Sequence, residues 1–226
     1  MTSGITSDSA PPRGHRTEPA RFALVQFLFW SSIVTFEAFM VPYLRVRGYT
    51  PGQIGPIMGA IFGLSVVGQP LLGALSDRVR SPKYLISGAL LVSAVAVSLV
   101  PVVAHAYFPL LLIVLIYSLT GNSLPAVFDG WIMARRDHNP RVNYGIARGF
   151  GSAGFATGAI VFGFITERYG LAVIFPAYLG IVLTTVVIAL GVPSVARPVR
   201  GSGPTVASPA PTATSPADGS GSTVAR

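Results

Sequence analysis

The chain has 226 residues, a mean hydropathy of +0.61 and 11% charged residues, where a soluble domain carries roughly 25%. That composition excludes an ordinary soluble globular protein, and the absence of cysteine excludes disulfides, thiol catalysis and cysteine metal centres. The net charge of +8 lies at the ends of apolar runs and not in one patch, which speaks against a nucleic-acid surface and for a role in membrane topology.

Residues 1–20 are polar and proline-bearing, without the apolar core of a cleavable signal peptide, and predict a disordered cytoplasmic tail. Six apolar windows follow, at 22–44, 54–75, 84–103, 107–134, 144–166 and 171–192. At about 1.5 Å per residue, each is long enough to cross about 30 Å of hydrocarbon. The first serves as its own insertion signal. The boundary between the third and fourth is the least marked, because residues 84–128 contain no Asp, Glu, Lys or Arg; Pro101, His105 and Pro109 mark the turn there. After Pro193 the sequence becomes rich in Ser, Thr, Pro, Ala and Gly and predicts a second disordered tail. The domain reading is therefore a tail over 1–20, a six-helix transmembrane domain over 21–195 and a low-complexity cytoplasmic tail over 196–226.

With the amino terminus in the cytoplasm, Arg13, Arg16, Arg21, Arg78, Arg80, Lys83, Arg135, Arg136, Arg141, Arg197 and Arg200 fall inside, against Arg45, Arg47 and Arg168 outside. This positive-inside bias predicts a multi-pass protein of the cell membrane with both termini cytoplasmic.

The windows form two triplets. Residues 68–78 read GQPLLGALSDR and residues 158–168 read GAIVFGFITER, so both fit G-x4-G-x3-[DE]-R. Residues 36–40, FEAFM, answer residues 128–132, FDGWI, at an offset of 92. Glu37 lies eight residues before Arg45, about 12 Å from one membrane face, and Asp129 six residues before Arg135, about 9 Å from the other. Mirrored depths of this kind mark an inverted-topology repeat. The fold class is an all-α membrane protein, six transmembrane helices arranged as a 3+3 inverted repeat.

Three ionisable residues, Glu37, Asp129 and Arg148, fall inside the windows. A charge near the bilayer centre costs roughly 2.5–3.5 kcal/mol on insertion scales, so each is a candidate for a cavity or a partner. Arg148 is seven residues past Arg141, about 10 Å deep and level with Asp129, which predicts a charge-assisted contact that still offers guanidinium donors to a solute. Glycines 55, 59 and 63 in the second window, and 145, 149, 154 and 158 in the fifth, form rows that let helices approach closely. They serve either packing within the six-helix unit or a smooth face for another bundle.

Residues 73–83 read GALSDRVRSPK. An acid at a helix carboxyl end opposes the local dipole, so Asp77 calls for a partner outside its own helix. The segment resembles the loop signature of the major facilitator superfamily, G-x-x-x-D-[RK]-x-G-[RK]-[RK], and departs from it with Arg80 in the glycine place and Ser81-Pro82 before Lys83. The resemblance implies a gating loop carried by Gly73, Asp77, Arg78 and Lys83. Residues 144–155, YGIARGFGSAGF, are similar to the fifth helix of the lactose permease branch, which also holds oligosaccharide and nucleoside proton symporters. That resemblance implies half of a major facilitator bundle, with Arg148 binding solute hydroxyls beside a fourth-helix acid and Phe155 stacking on the solute. Phe155 stands where the permease has Trp, and Phe128 separates Pro125-Ala126-Val127 from Asp129, a shift of about 100° on an ideal helix.

Other motifs carry less. Gly149-x-Gly151-x-x-Gly154 fits a dinucleotide fingerprint but opens a membrane helix and follows no strand. Ser152 has no base at its depth, and His15, His105 and His138 lie in tails or loops, so no enzyme, cofactor or metal is expected. The expected role is transport of a small polar, sugar- or nucleoside-like solute, with Glu37, Asp129, Arg148 and Phe155 as binding residues and protons as a candidate coupling ion. Six helices do not close a cavity, which calls for a second six-helix half or a homodimer. The alternative is a truncated, non-transporting interaction module of the membrane.

Overall fold

In the computed structural model the described residues are 14–79 and 81–192, and among them every regular element is helical. Helix α1 is Gly14–Val46, α2 Pro51–Arg78 and α3 Pro82–Val103; α4 (Tyr107–Tyr117) and α5 (Pro125–Arg136) are two pieces of one span; α6 is Tyr144–Tyr169 and α7 Ile174–Leu190. Six spans, one for each predicted window, are long and apolar enough to cross a membrane.

Local chemistry sets the boundaries. Extended Thr50 precedes Pro51, and the Thr50 amide donates to Gln53 Oε1 at 3.0 Å, closing the first turn of α2. Pro82 opens α3 after extended Ser81, and Asn143 Oδ1 accepts the Ile146 amide at 3.2 Å at the start of α6. Gly170, at φ 84°, ends α6 in a conformation that favours glycine. The fourth span is broken by a π-helical stretch at Ser118–Asn122, just before Pro125. Its loosened backbone is tied by side chains: Ser123 Oγ donates to the Ser118 carbonyl at 2.7 Å, and Ser118 Oγ donates to the Ile61 carbonyl of α2 at 2.6 Å.

The first span packs on the fifth and sixth, the fourth on the second and third, and the third and sixth on each other. Exchanging spans 1, 2 and 3 for 4, 5 and 6 returns the same set of contacts. Triplets set three spans apart run in opposite directions, so the repeat is inverted, as the sequence echo predicts. The exchange reaches single residues. A Cβ on Gly158 would meet Val34 Cγ1 at 2.6 Å and Ser31 Cα at 3.3 Å, and a Cβ on Gly68 would collide with Ser123 Oγ. Gly68 and Gly158 are 90 positions apart, Ser31 and Ser123 are 92 apart.

Span 1 is the most enclosed of the six. Phe22, Phe29, Phe36 and Tyr43, seven residues apart and therefore on one face, run its length. Their ring partners are Trp131 at 4.8 Å, Phe128 at 4.5 Å, Tyr117 at 4.6 Å and Phe175 at 4.9 Å. Edge-on and tilted pairs at these separations add about 0.5–1.5 kcal/mol each beyond area burial.

Helix α1 begins at Gly14, inside the stretch that the sequence reading gave to the amino-terminal tail. The reason is Glu18. It is buried, paired with Arg135 of α5, and accepts Asn139 Nδ2 at 2.8 Å, so a polar turn finds its partners within the protein. Residues 1–13 and 193–226, which include the predicted tail at 196–226, lie outside the described residues.

A Cβ on Gly154 would strike the Phe27 backbone, with the Phe27 Cα at 2.8 Å, whereas a Cβ on Gly163 meets nothing within 4 Å. Gly154→Ala is therefore expected to destabilise the protein by about 1–3 kcal/mol through forced separation of two backbones. Gly163→Ala is expected to be neutral or to stabilise by about 0.5–1 kcal/mol. Thermal unfolding of both variants in detergent checks the contrast.

Candidate functional site

Four residues carried the predicted solute site. Glu37 on α1 is half-buried and accepts Tyr117 Oη at 3.1 Å. Tyr117 closes α4 immediately before the π-helical stretch and is itself buried against Phe36 and Tyr178, so the hydroxyl that meets Glu37 is held by packing on two other spans, the first and the sixth. Tyr178 in turn shares a hydrogen bond of 3.0 Å with Ser93 Oγ.

Asp129 on α5 is half-buried, and its Oδ1 is enclosed with no hydrogen-bond partner. Arg148 on α6 is half-buried and lies over the Trp30 ring, 4.5 Å from its centroid. Asp129 and Arg148 form no ion pair with each other. The contact expected from their matching depth is replaced by a cation–π contact to span 1. Gly151, one turn beyond Arg148, makes this packing possible: a Cβ there would meet Trp30 Cδ1 at 2.5 Å and Nε1 at 2.9 Å. Phe155 is half-exposed and sits edge-on to Trp30 at 6.4 Å. Arg148 and Phe155 thus come together, but around Trp30.

The predicted gating residues divide. Asp77 and Arg78 are exposed at the carboxyl end of α2, and Gly73 lies one turn before Asp77 with open space where a side chain would be. Lys83 is buried and turned away from them: its Nζ donates to the carbonyls of Leu190 at 3.3 Å and Val192 at 3.0 Å, and Arg21 donates to the carbonyl of Gly191. Both cations complement the negative end of α7, so Lys83 holds α7 and does not join Asp77 and Arg78 in a loop cluster. The reason is Pro82, which starts α3 at once and places Lys83 in its first turn.

Trp30, Gln26 and Tyr117 also belong to this region, although none of them lies in a recognised motif. Gln26 is 1% exposed, and neither its amide nitrogen nor its oxygen has a partner; Trp30 Nε1 is also enclosed without one. A signal existed for two of them. Gln26, Trp30 and Glu37 are spaced four and seven residues apart, which puts them on one face of α1, beside the aromatic row. Nothing in the sequence pointed to Tyr117.

Residues 20–202 match the MFS_1 like family. The chain belongs to that family. It is 26% identical over 175 residues to the maltose permease of Geobacillus stearothermophilus, an alignment that covers 77% of this chain and 43% of the permease. The chain thus spans less than half the length of that relative. No solved structure matches it. Family and helices together make this a multi-pass membrane protein of the major facilitator type.

A buried amide with both ends unsatisfied costs about 1–3 kcal/mol. Gln26→Leu, close in volume, is expected to raise the thermal midpoint in detergent by a corresponding amount, as measured by scanning fluorimetry. An unchanged or lowered midpoint would show that the amide is satisfied in the folded protein.

Proposed function

We propose that this chain is one six-helix half of a secondary carrier for a small polar, sugar- or nucleoside-like solute, working with a second half or a second copy of itself. One observation carries the reading. Asp129 and Arg148, charged groups inside two spans, are not paired with each other, and unpaired intramembrane charge is retained where a solute or ion completes it. The match to a maltose permease over most of this chain supports a sugar-type solute, and the branch that includes oligosaccharide and nucleoside symporters fits the segment around Arg148.

In this reading Arg148 supplies donors to solute oxygens, Asp129 offers its carboxylate to solute hydroxyls, and Phe155 lies along the aromatic wall formed with Trp30. Glu37, already held by Tyr117, is the candidate for proton coupling. Asp77 and Arg78 form the gate at the far end of α2, with Gly73 as the small residue beneath them. In the same reading the bundle lies in the cell membrane with both termini cytoplasmic, which the charge bias supports. A second bundle is required because a solute path needs two walls: one six-helix unit presents its charged groups on an unclosed surface.

Uptake of radiolabelled maltose by cells expressing the chain tests the site. Arg148→Ala and Asp129→Ala are each expected to lower uptake by at least about tenfold, the scale of one lost charge-assisted hydrogen bond. Uptake that persists unchanged in both removes the assignment. Cross-linking in native membranes is expected to capture the chain with a second bundle, and full uptake by a strictly monomeric chain would refute the two-bundle requirement.

A further inference from the structure

We propose that Trp30 is the positioning residue for Arg148: its indole face holds the guanidinium charge within the membrane while leaving the N–H edges open to a solute. The inference deepens the solute site above and rests on that reading.

The geometry carries it. A guanidinium inside a span needs compensation, and Arg148 has none from a carboxylate; the ring face at 4.5 Å provides it. An ion pair with Asp129 would draw on the same N–H groups that a solute needs, because a carboxylate takes them two at a time. A ring face attracts the planar cation as a whole and takes none. The indole is also fixed in place. Its Cδ1 and Nε1 edge lies against the bare backbone of Gly151, Phe29 packs at 5.7 Å and Phe155 at 6.4 Å. Its N–H has no acceptor, so hydrogen bonding does not account for a Trp here, and the ring face does. The glycine at 151 then has a defined task, since any side chain would push the ring away from α6 and from Arg148.

The chain has two tryptophans, so Trp131→Phe leaves Trp30 as the only tryptophan in purified protein reconstituted in lipid vesicles and excited at the red edge of indole absorption. In that background Arg148→Met is expected to shift the resting emission of Trp30, because the charge over the ring is gone. Maltose is expected to change Trp30 emission saturably with Arg148 present and to leave it unchanged in Arg148→Met. In uptake assays Trp30→Leu is expected to raise the half-saturation concentration about tenfold with a smaller effect on maximal rate, and Trp30→Phe to recover most of that loss because a ring face remains. Trp30→Phe also guards against a folding failure in Trp30→Leu. If maltose leaves Trp30 emission unchanged while Arg148→Ala still abolishes uptake, the positioning role is overturned and the solute site stands. If uptake ignores Arg148, the solute site falls and this role falls with it.

Discussion

The close approach of span 1 to span 5 is the constraint on which the other features depend. In lipid there is no hydrophobic drive to bring one apolar helix onto another, so contact has to come from packing, and packing is tightest where side chains are absent. Gly151, Gly154 and Gly158 supply that absence, each facing a different part of α1: Trp30, the Phe27 backbone, and Ser31 with Val34. Ser31 Oγ adds a bond of 2.9 Å to the Gly154 carbonyl. With α6 seated so closely, the Trp30 ring lies against α6 and Arg148 reaches it, while the opposite side of α1 keeps its aromatic row for spans 4 and 6.

The same device recurs in the other triplet, where Gly68 of α2 meets Ser123 beyond the π-helical stretch. The mirror is not complete. Span 1 is continuous, whereas span 4 is wound open between Tyr117 and Pro125; there Ser123 Oγ donates to the Ser118 carbonyl, and the Ser118 and Asn122 side chains donate to the Ile61 carbonyl of α2, tying the opened stretch to its neighbour. Openings of this kind persist in a membrane only where neighbouring protein supplies the lost hydrogen bonds. The asymmetry falls between the two residues that reach for the proposed site from this span, Tyr117 above the opening and Asp129 below it.

Much of this was legible in the sequence, and the reasons it stops are specific. Window lengths gave the six spans, and the G-x4-G-x3-[DE]-R echo gave the pairing of triplets, because both depend on position along the chain. Depth is also a linear quantity, which is why Asp129 and Arg148 could be placed at one level. Whether two groups at one level face each other depends on rotation about each helix axis and on what stands between them, and there Trp30 decides the outcome. Glu18 was missed for a related cause: a polar first turn reads as tail unless its buried partner, Arg135, more than a hundred residues away, is known. The glycine rows split along the same line. The sequence shows their spacing, but only packing separates Gly154 and Gly158, which touch α1, from Gly55, Gly59 and Gly63, where an added Cβ would meet no neighbouring element within 4 Å.

Arg21 and Lys83, which hold the end of α7, and Arg135, which holds Glu18, also belong to the set of basic residues on which the expected positive-inside bias rests. They act twice, at different times. While the chain is inserting, each counts as a free charge that resists crossing; once the helices have packed, its charge is complemented by a helix end or a carboxylate. Neutral substitutions at these three positions separate the two stages: orientation survives on the remaining basic residues, while the assembled bundle loses a clasp.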